Sequence, residues 1–254
     1  ALVNRLASGL FQLGLRKGDR VCLFLPNCIE FILSDWAVQK CGGVVVPTSI
    51  LRSDDGLLHE IVSSGSKMIV CSETQLDRIL GIQEQTDLEH ILLTSKDGYG
   101  ESFQVGSLPK GTHTFSDILE SGDETPPQVT IDPEHDLCEL GFTGGATGIP
   151  KGVMATHANR FNCIRQGLPW LLEPMLRGFV GKSSVLLAVP LFHTYGHYVY
   201  QSAAYLGLRV ILLADPRDTA LMAKSIREHR PFLITGVPTQ FMRLLDDQSD
   251  LVIV

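Results

Sequence analysis

Val21-Cys22-Leu23-Phe24-Leu25 is broken by Pro26-Asn27, followed by a periodic stretch over 29–40, by Gly42-Gly43, and by Val44-Val45-Val46 stopped at Pro47. This reads as strand, helix and strand. Both strands are short and wholly apolar, as strands buried on both faces of a sheet are, and a helical crossover between them makes the pair parallel. The same alternation continues outward. Upstream, Leu2, Leu6, Leu10 and Leu13 recur at helical spacing with Gly14 as a stop, and a turn at Arg16-Lys17-Gly18-Asp19 leads into the strand. Downstream, Ser53 or Asp54 can cap a helix that runs to Ser64 and ends at Gly65. Residues 67–71 read as strand, 75–82 as helix and 90–94 as strand. The fold class is therefore α/β, with mainly parallel sheets flanked by helices.

From Ser95 to about Asp136 the pattern fades. Only 115–119 reads as helix there, and Glu124-Thr125-Pro126-Pro127 resembles a surface linker. Order resumes at Leu137, and apolar strands at 185–189, 210–214 and 232–235 form a second alternating set. Two α/β lobes are expected, residues 1–165 and 166–254, with the opening helix joining the second.

The 254 residues are 44% apolar and 19% charged, which excludes the disordered class. A net charge of -7 without a basic run argues against nucleic-acid binding, which needs a cationic face. None of the six cysteines forms a CxxC pair, so free thiols in a reducing, cytoplasmic setting are expected. No stretch reaches the roughly 18 apolar residues of a membrane span. The first residues, ALVNRLASGL, lack the apolar core of a signal peptide. The closing run Leu251-Val252-Ile253-Val254 is β-like with nothing after it. A bare strand there implies a piece of a longer protein, prone to self-association through that edge.

The strongest chemical signal is Phe142-Thr143-Gly144-Gly145-Ala146-Thr147-Gly148-Ile149-Pro150-Lys151-Gly152. Glycines let backbone N–H groups approach an anion, Thr143 and Thr147 add hydroxyls, and Lys151 adds a mobile positive charge. Pro150 disfavours a helical Ile149, so the loop does not run directly into a helix. It also occupies the position before Lys151 where the Walker loop needs glycine, and Thr143 stands where GxGxxG needs its first glycine. The bland alternative is a glycine connection that merely joins two strands.

This string resembles the nucleotide loop of the adenylate-forming superfamily, TSGTTG-x-PKG, with Gly144 in place of the usual serine and Ala146 in place of a hydroxyl residue. Other segments resemble the family in the same order: Asn4-Arg5-Leu6-Ala7 through Lys17-Gly18-Asp19-Arg20-Val21, then Gln39-Lys40-Cys41-Gly42-Gly43-Val44-Val45-Val46-Pro47, Leu187-Ala188-Val189-Pro190-Leu191-Phe192-His193-Thr194-Tyr195-Gly196 and Gly236-Val237-Pro238-Thr239. The likeness is strongest to medium- and long-chain fatty-acid–CoA ligases, and covers the amino-terminal part of their large domain. It implies ATP-dependent conversion of a carboxylic acid to acyl-adenylate and then acyl-CoA, with ATP, Mg²⁺ and CoA as cofactors. It places Thr143, Gly144, Gly145, Ala146, Thr147, Gly148 and Lys151 at the nucleotide and assigns catalytic roles to Lys151 and His193. It lines the acyl site with His193, Tyr195 and Gly236.

The family's YG-x-TE motif, TGD aspartate and small carboxy-terminal domain with its lysine are not found in the sequence. The resemblance therefore implies a fragment without metal ligands of its own and without activity alone. Aryl-CoA, luciferase-like and carrier-protein-loading ligases share the loop, and a non-catalytic module is the alternative from another class.

Three local readings stay open on the residues themselves. His193 follows an apolar strand, where α/β folds place ligands, but a hydrogen-bonded core histidine is the alternative. His193 and His197 have a zinc-compatible spacing, yet no glutamate follows His193 and Gly196 weakens a helix there. Asp215-Pro216-Arg217-Asp218 resembles a long-chain family segment and also reads as a turn and helix cap, while Ser64 and Lys67 fit SxxK without its partner motifs.

Overall fold

The computed structural model describes residues 1–101, 107–144, 150–171 and 181–247. It divides into two compact units, residues 1–160 and 161–254.

In the first unit, strands β1 (Arg20–Phe24), β2 (Val44–Pro47), β3 (Ser66–Ser72), β4 (His90–Thr94), β5 (Thr112–Thr114), β6 (Leu137–Thr143) and β7 (Lys151–Thr156) form one sheet in the order β5-β4-β3-β1-β2-β6-β7. All neighbours are parallel except β6 and β7. Helices α1 (Leu2–Gln12), α2 (Ile29–Lys40), α3 (Asp54–Ser64), α4 (Leu76–Gln83) and α5 (Phe115–Ser121) supply the covering layers, and α6 (His157–Leu171) follows β7. Alternation along the strands explains the two faces. Cys22, Phe24, Ile69, Cys71, Ile91 and Leu93 pack with Leu57 and Ile61 of α3 and Ile79 and Ile82 of α4. Val21, Leu23, Val70 and Leu92, equally buried, turn the other way.

The helix boundaries follow local chemistry. The Ser53 side chain accepts the Gly56 N–H, and Gly65, at φ 60°, ends α3 in the left-handed conformation that favours glycine.

The opening helix corrects the expectation that it joins the second lobe: α1 packs on α2 and α5 within the first unit. Its Leu6 and Leu10 are completely buried, each stabilising the unit by about 1.5–3 kcal/mol. Two strands lay outside the expected alternation. β5 is the polar triplet Thr112-His113-Thr114 at the sheet edge, and β7 exposes Lys151, Gly152, Val153 and Met154. Neither carries the apolar run that marks a buried strand.

The second unit holds a parallel three-stranded sheet, β8 (Ser184–Leu187), β9 (Arg209–Leu212) and β10 (Leu233–Thr235), in the order β10-β8-β9. Helices α7 (Thr194–Tyr205), α8 (Thr219–His229) and α9 (Pro238–Asp247) alternate with them. Leu186 and Ala188, Leu213, Met222, Ala223 and Leu244 form its core. The closing run at 251–254 lies outside the described residues.

Candidate functional site

In the first unit the glycine-rich connection closes an antiparallel hairpin. Leu140 pairs with Met154, Gly141 with Val153, Phe142 with Gly152, and Thr143 with Lys151. That register brings Thr143 and Lys151 opposite each other at the mouth, both exposed. At Gly144, which follows, an added Cβ would meet none of the described residues within 4 Å. Of the expected nucleotide residues, Gly145, Ala146, Thr147 and Gly148 lie outside the described residues. Extended backbone on the Lys151 side agrees with the reading of Pro150 as a barrier to helix.

The mouth of this hairpin is held by a residue that sequence reasoning missed. His59 Nε2, on α3, lies 3.1 Å from the Pro150 carbonyl oxygen. A carbonyl only accepts, so Nε2 carries the ring proton, and Nδ1 can accept from the Ser63 hydroxyl at 3.4 Å. The same ring meets Phe142 edge-on, with centroids 6.2 Å apart and planes at 75°. One histidine thus contacts both arms. It lies far from the loop in sequence, and no periodicity or motif points to it. Below the mouth, Glu139 of β6 pairs with Arg160 of α6 at 3.0 Å, both side chains largely buried.

In the second unit, β8 is followed by Ala188, Val189, Pro190 and the buried Leu191, and α7 starts immediately after His193. His193 is the N-cap: its Nδ1 accepts the Tyr195 N–H at 3.2 Å. Its ring is exposed. The core-histidine reading therefore fails for His193 and describes His197 instead, which is 1% exposed, stacked on Tyr200, with Nε2 3.3 Å from the Tyr200 hydroxyl. The expectation that Gly196 weakens a helix here is also corrected. Gly196 lies inside α7, and a Cβ at that position would collide with the Pro190 carbonyl oxygen, so glycine lets the helix pass over the end of β8. With Nδ1 engaged as an acceptor, the neutral ring carries its proton on Nε2 and presents it as a donor.

Tyr195 is exposed and Gly236 half-buried, the latter immediately after β10. Since β10 pairs in parallel with β8, His193 and Gly236 both follow carboxyl ends of adjacent strands. Gln240 of α9 ties those ends together. Its Nε2 donates to Ala188 O and Pro216 O, each at 2.7 Å, and its Oε1 accepts the Val237 N–H at 2.7 Å. Sequence reasoning missed this residue too.

The remaining local readings resolve simply. Asp215 forms a two-pronged pair with Arg217, at 2.9 and 3.0 Å, and Asp218 caps α8 by accepting the Leu221 N–H at 2.8 Å, so the segment is a turn and a cap. The Ser64 hydroxyl donates to the Ile61 carbonyl and Lys67 pairs with Asp19 at 3.1 Å, which is no nucleophile–base arrangement. All six cysteines are unpaired thiols, and burial pushes Cys22 up to about 12. Among the described residues no helix is long and apolar enough to cross a membrane, and no three His, Cys, Asp or Glu side chains are grouped to hold a metal ion.

A mainly parallel sheet that ends in a hairpin around a glycine-rich connection, followed by a second α/β unit, is the amino-terminal architecture of acyl-CoA ligases. The long-chain-fatty-acid–CoA ligase of Archaeoglobus fulgidus superposes with a TM-score of 0.83 at 22% identity, over 98% of this chain and 46% of that one. The chain belongs to the AMP-binding enzyme family, which it matches over residues 1–252. It is 32% identical over 261 residues to the long-chain-fatty-acid–CoA ligase of Bacillus subtilis, covering 95% of this chain and 45% of the relative. It is 26% identical to 4-coumarate–CoA ligase 4 of Arabidopsis thaliana, covering 93% and 40% respectively. The chain thus spans about half the length of the curated relatives it matches.

Proposed function

We propose that the protein to which this chain belongs activates a fatty acid with ATP, forming an acyl-adenylate and pyrophosphate and then an acyl-CoA. One observation of geometry carries the reading: the hairpin register sets exposed Lys151 opposite Thr143, flanking the glycine connection. A carboxylate cannot expel oxide, so attack on the α-phosphate must first convert that oxygen into a leaving group. The polypeptide's share is to hold the reactants in line and to meet the charge that develops on the departing pyrophosphate. Thr143, Gly144 and Lys151 fit that task, since Thr143 supplies a hydroxyl, Gly144 carries no side chain to bar an anion, and Lys151 supplies an exposed cation. By resemblance, Gly145, Ala146, Thr147 and Gly148 complete the loop. Magnesium enters as the counter-ion of ATP, and no described residue is assigned to it.

His193 suits the carboxylate side. As a helix cap with its proton on Nε2, it can donate a hydrogen bond to the acid while its own Nδ1 is occupied, so it orients rather than abstracts. Tyr195 and Gly236 are proposed to line the acyl site. We assign 1–160 as the phosphate-loop unit and 161–254 as the start of the acyl-site unit. Six free thiols support a reducing compartment, taken as the cytoplasm.

Pyrophosphate exchange by the full-length protein, over a panel of hexadecanoate, octanoate and 4-coumarate, tests the reading. Exchange that depends on a fatty acid supports it. Exchange with 4-coumarate alone would favour the aryl reading suggested by the plant relative, and exchange with no acid would reject ligase activity.

A further inference from the structure

Lys151, the cation assigned to the departing pyrophosphate, sits where sheet pairing stops. Among the described residues the ladder between β6 and β7 ends at Thr143 and Lys151, both exposed. A terminal pair of this kind frays readily, because it is supported on one side only. The next residue on the Lys151 arm, Pro150, has no N–H to offer. It is held through its carbonyl oxygen, which accepts from His59 Nε2 at 3.1 Å. The Pro150–Lys151 peptide is trans and planar, so fixing that carbonyl also fixes the Lys151 N–H, which points away from His59.

The donor is mounted on a rigid support. Leu57 and Ile61, two residues to either side of His59, belong to the buried core of the first unit. The Ser53 cap and Gly65 close α3 at both ends. His59 is half-buried, and its edge-on contact with Phe142 restrains the ring. The Ser63 hydroxyl, 3.4 Å from Nδ1, favours the tautomer that carries its proton on Nε2. Phe142 is the neighbour of Thr143, so the same ring also steadies the opposite arm.

We propose that His59 is a positioning residue for the phosphate loop. It touches no substrate; it sets the backbone of Lys151, and with it the point from which the ammonium group meets the leaving pyrophosphate. The catalytic consequence rests on the proposed ligase activity, whereas the anchoring of Lys151 does not. A group misplaced by about 1 Å can lose about 10²-fold in rate. The charge itself stays in place, so the loss falls on turnover rather than on substrate binding.

Two variants of the full-length protein separate the hydrogen bond from the bulk of the ring. His59→Phe keeps a ring against Phe142 and removes the N–H, while His59→Gln offers an amide N–H to the same carbonyl. In pyrophosphate exchange with hexadecanoate, His59→Phe is expected to lower turnover about tenfold at unchanged KM, and His59→Gln to return to within about threefold of wild type. Deuterium uptake over residues 151–156 is expected to quicken about 2–10-fold in His59→Phe and to stay near wild type in His59→Gln. Wild-type turnover in His59→Phe, a loss confined to KM, a His59→Gln no better than His59→Phe, or unchanged uptake over 151–156 would each overturn the proposal. A wild-type protein without acid-dependent exchange would remove the ligase reading instead, and deuterium uptake would then decide the anchor by itself.

Discussion

Replacing Gln240 with leucine keeps the bulk of the side chain and removes three hydrogen bonds, each 2.7 Å long. A net hydrogen bond contributes about 0.5–1.5 kcal/mol, so the three together are worth about 1.5–4.5 kcal/mol. Gln240 is half-buried, and water can reach part of what it leaves behind, which favours the lower part of that range, about 1.5–3 kcal/mol. The loss falls on the connections after β8, β9 and β10. β8 is the central strand of that sheet, so its amides report the opening of the whole unit. Hydrogen exchange at Val185, Leu186 and Leu187 should accelerate about 10–150-fold in Gln240→Leu. Gln240→Glu should be at least as damaging, because a carboxylate can still accept from Val237 but faces the Ala188 and Pro216 carbonyls with no donor. Protection of β8 within threefold of wild type in either variant would refute the view that this amide holds the three strand ends in place.

Lys151→Ala in the full-length protein should slow acid-dependent pyrophosphate exchange about 10²–10³-fold, by removing a charge worth about 2–4 kcal/mol at the leaving group, while the exposed position leaves folding intact; wild-type exchange would remove Lys151 from the site. Gly196→Ala drives a methyl group into the Pro190 carbonyl and should cost about 1–3 kcal/mol, lowering the melting temperature by about 2–10 °C, whereas Gly144→Ala, whose Cβ meets none of the described residues, should leave it unchanged. Acid should loosen the β4–β5 edge. His90 Nδ1 and His113 Nε2 are 3.1 Å apart, and desolvation, then the charge of His90, hold His113 below its ordinary 6.5, with Asp117 opposing. Below 6.5 the unfolded chain binds a proton that folded His113 resists, so stability rises with pH through that window and falls on acidification. Urea midpoints should therefore drop between pH 7.5 and 5.5, and His90→Gln should flatten the dependence; a wild-type midpoint independent of pH would contradict the pairing.

Sequence alone determined what rests on local chemistry. Apolar runs such as Val44-Val45-Val46 can exist only buried on both faces, and the Ser53 and Gly65 signals bound α3 because capping and a left-handed stop involve only near neighbours. The turn at Asp215 and the cap at Asp218 were legible for the same reason. The family was legible because several motifs recur in order. Tertiary structure decided whatever depends on partners distant in the chain. The polar strand β5 and the exposed strand β7 exist through pairing with β4 and β6 rather than through their own apolarity. The opening helix belongs to the first unit because α2 and α5 present it a surface, which its own periodicity cannot specify. Gly196 reads as a helix breaker until the Pro190 carbonyl is seen beneath it. His59 and Gln240 carry no motif, since what makes them matter is the set of carbonyls and amides that the fold delivers to them.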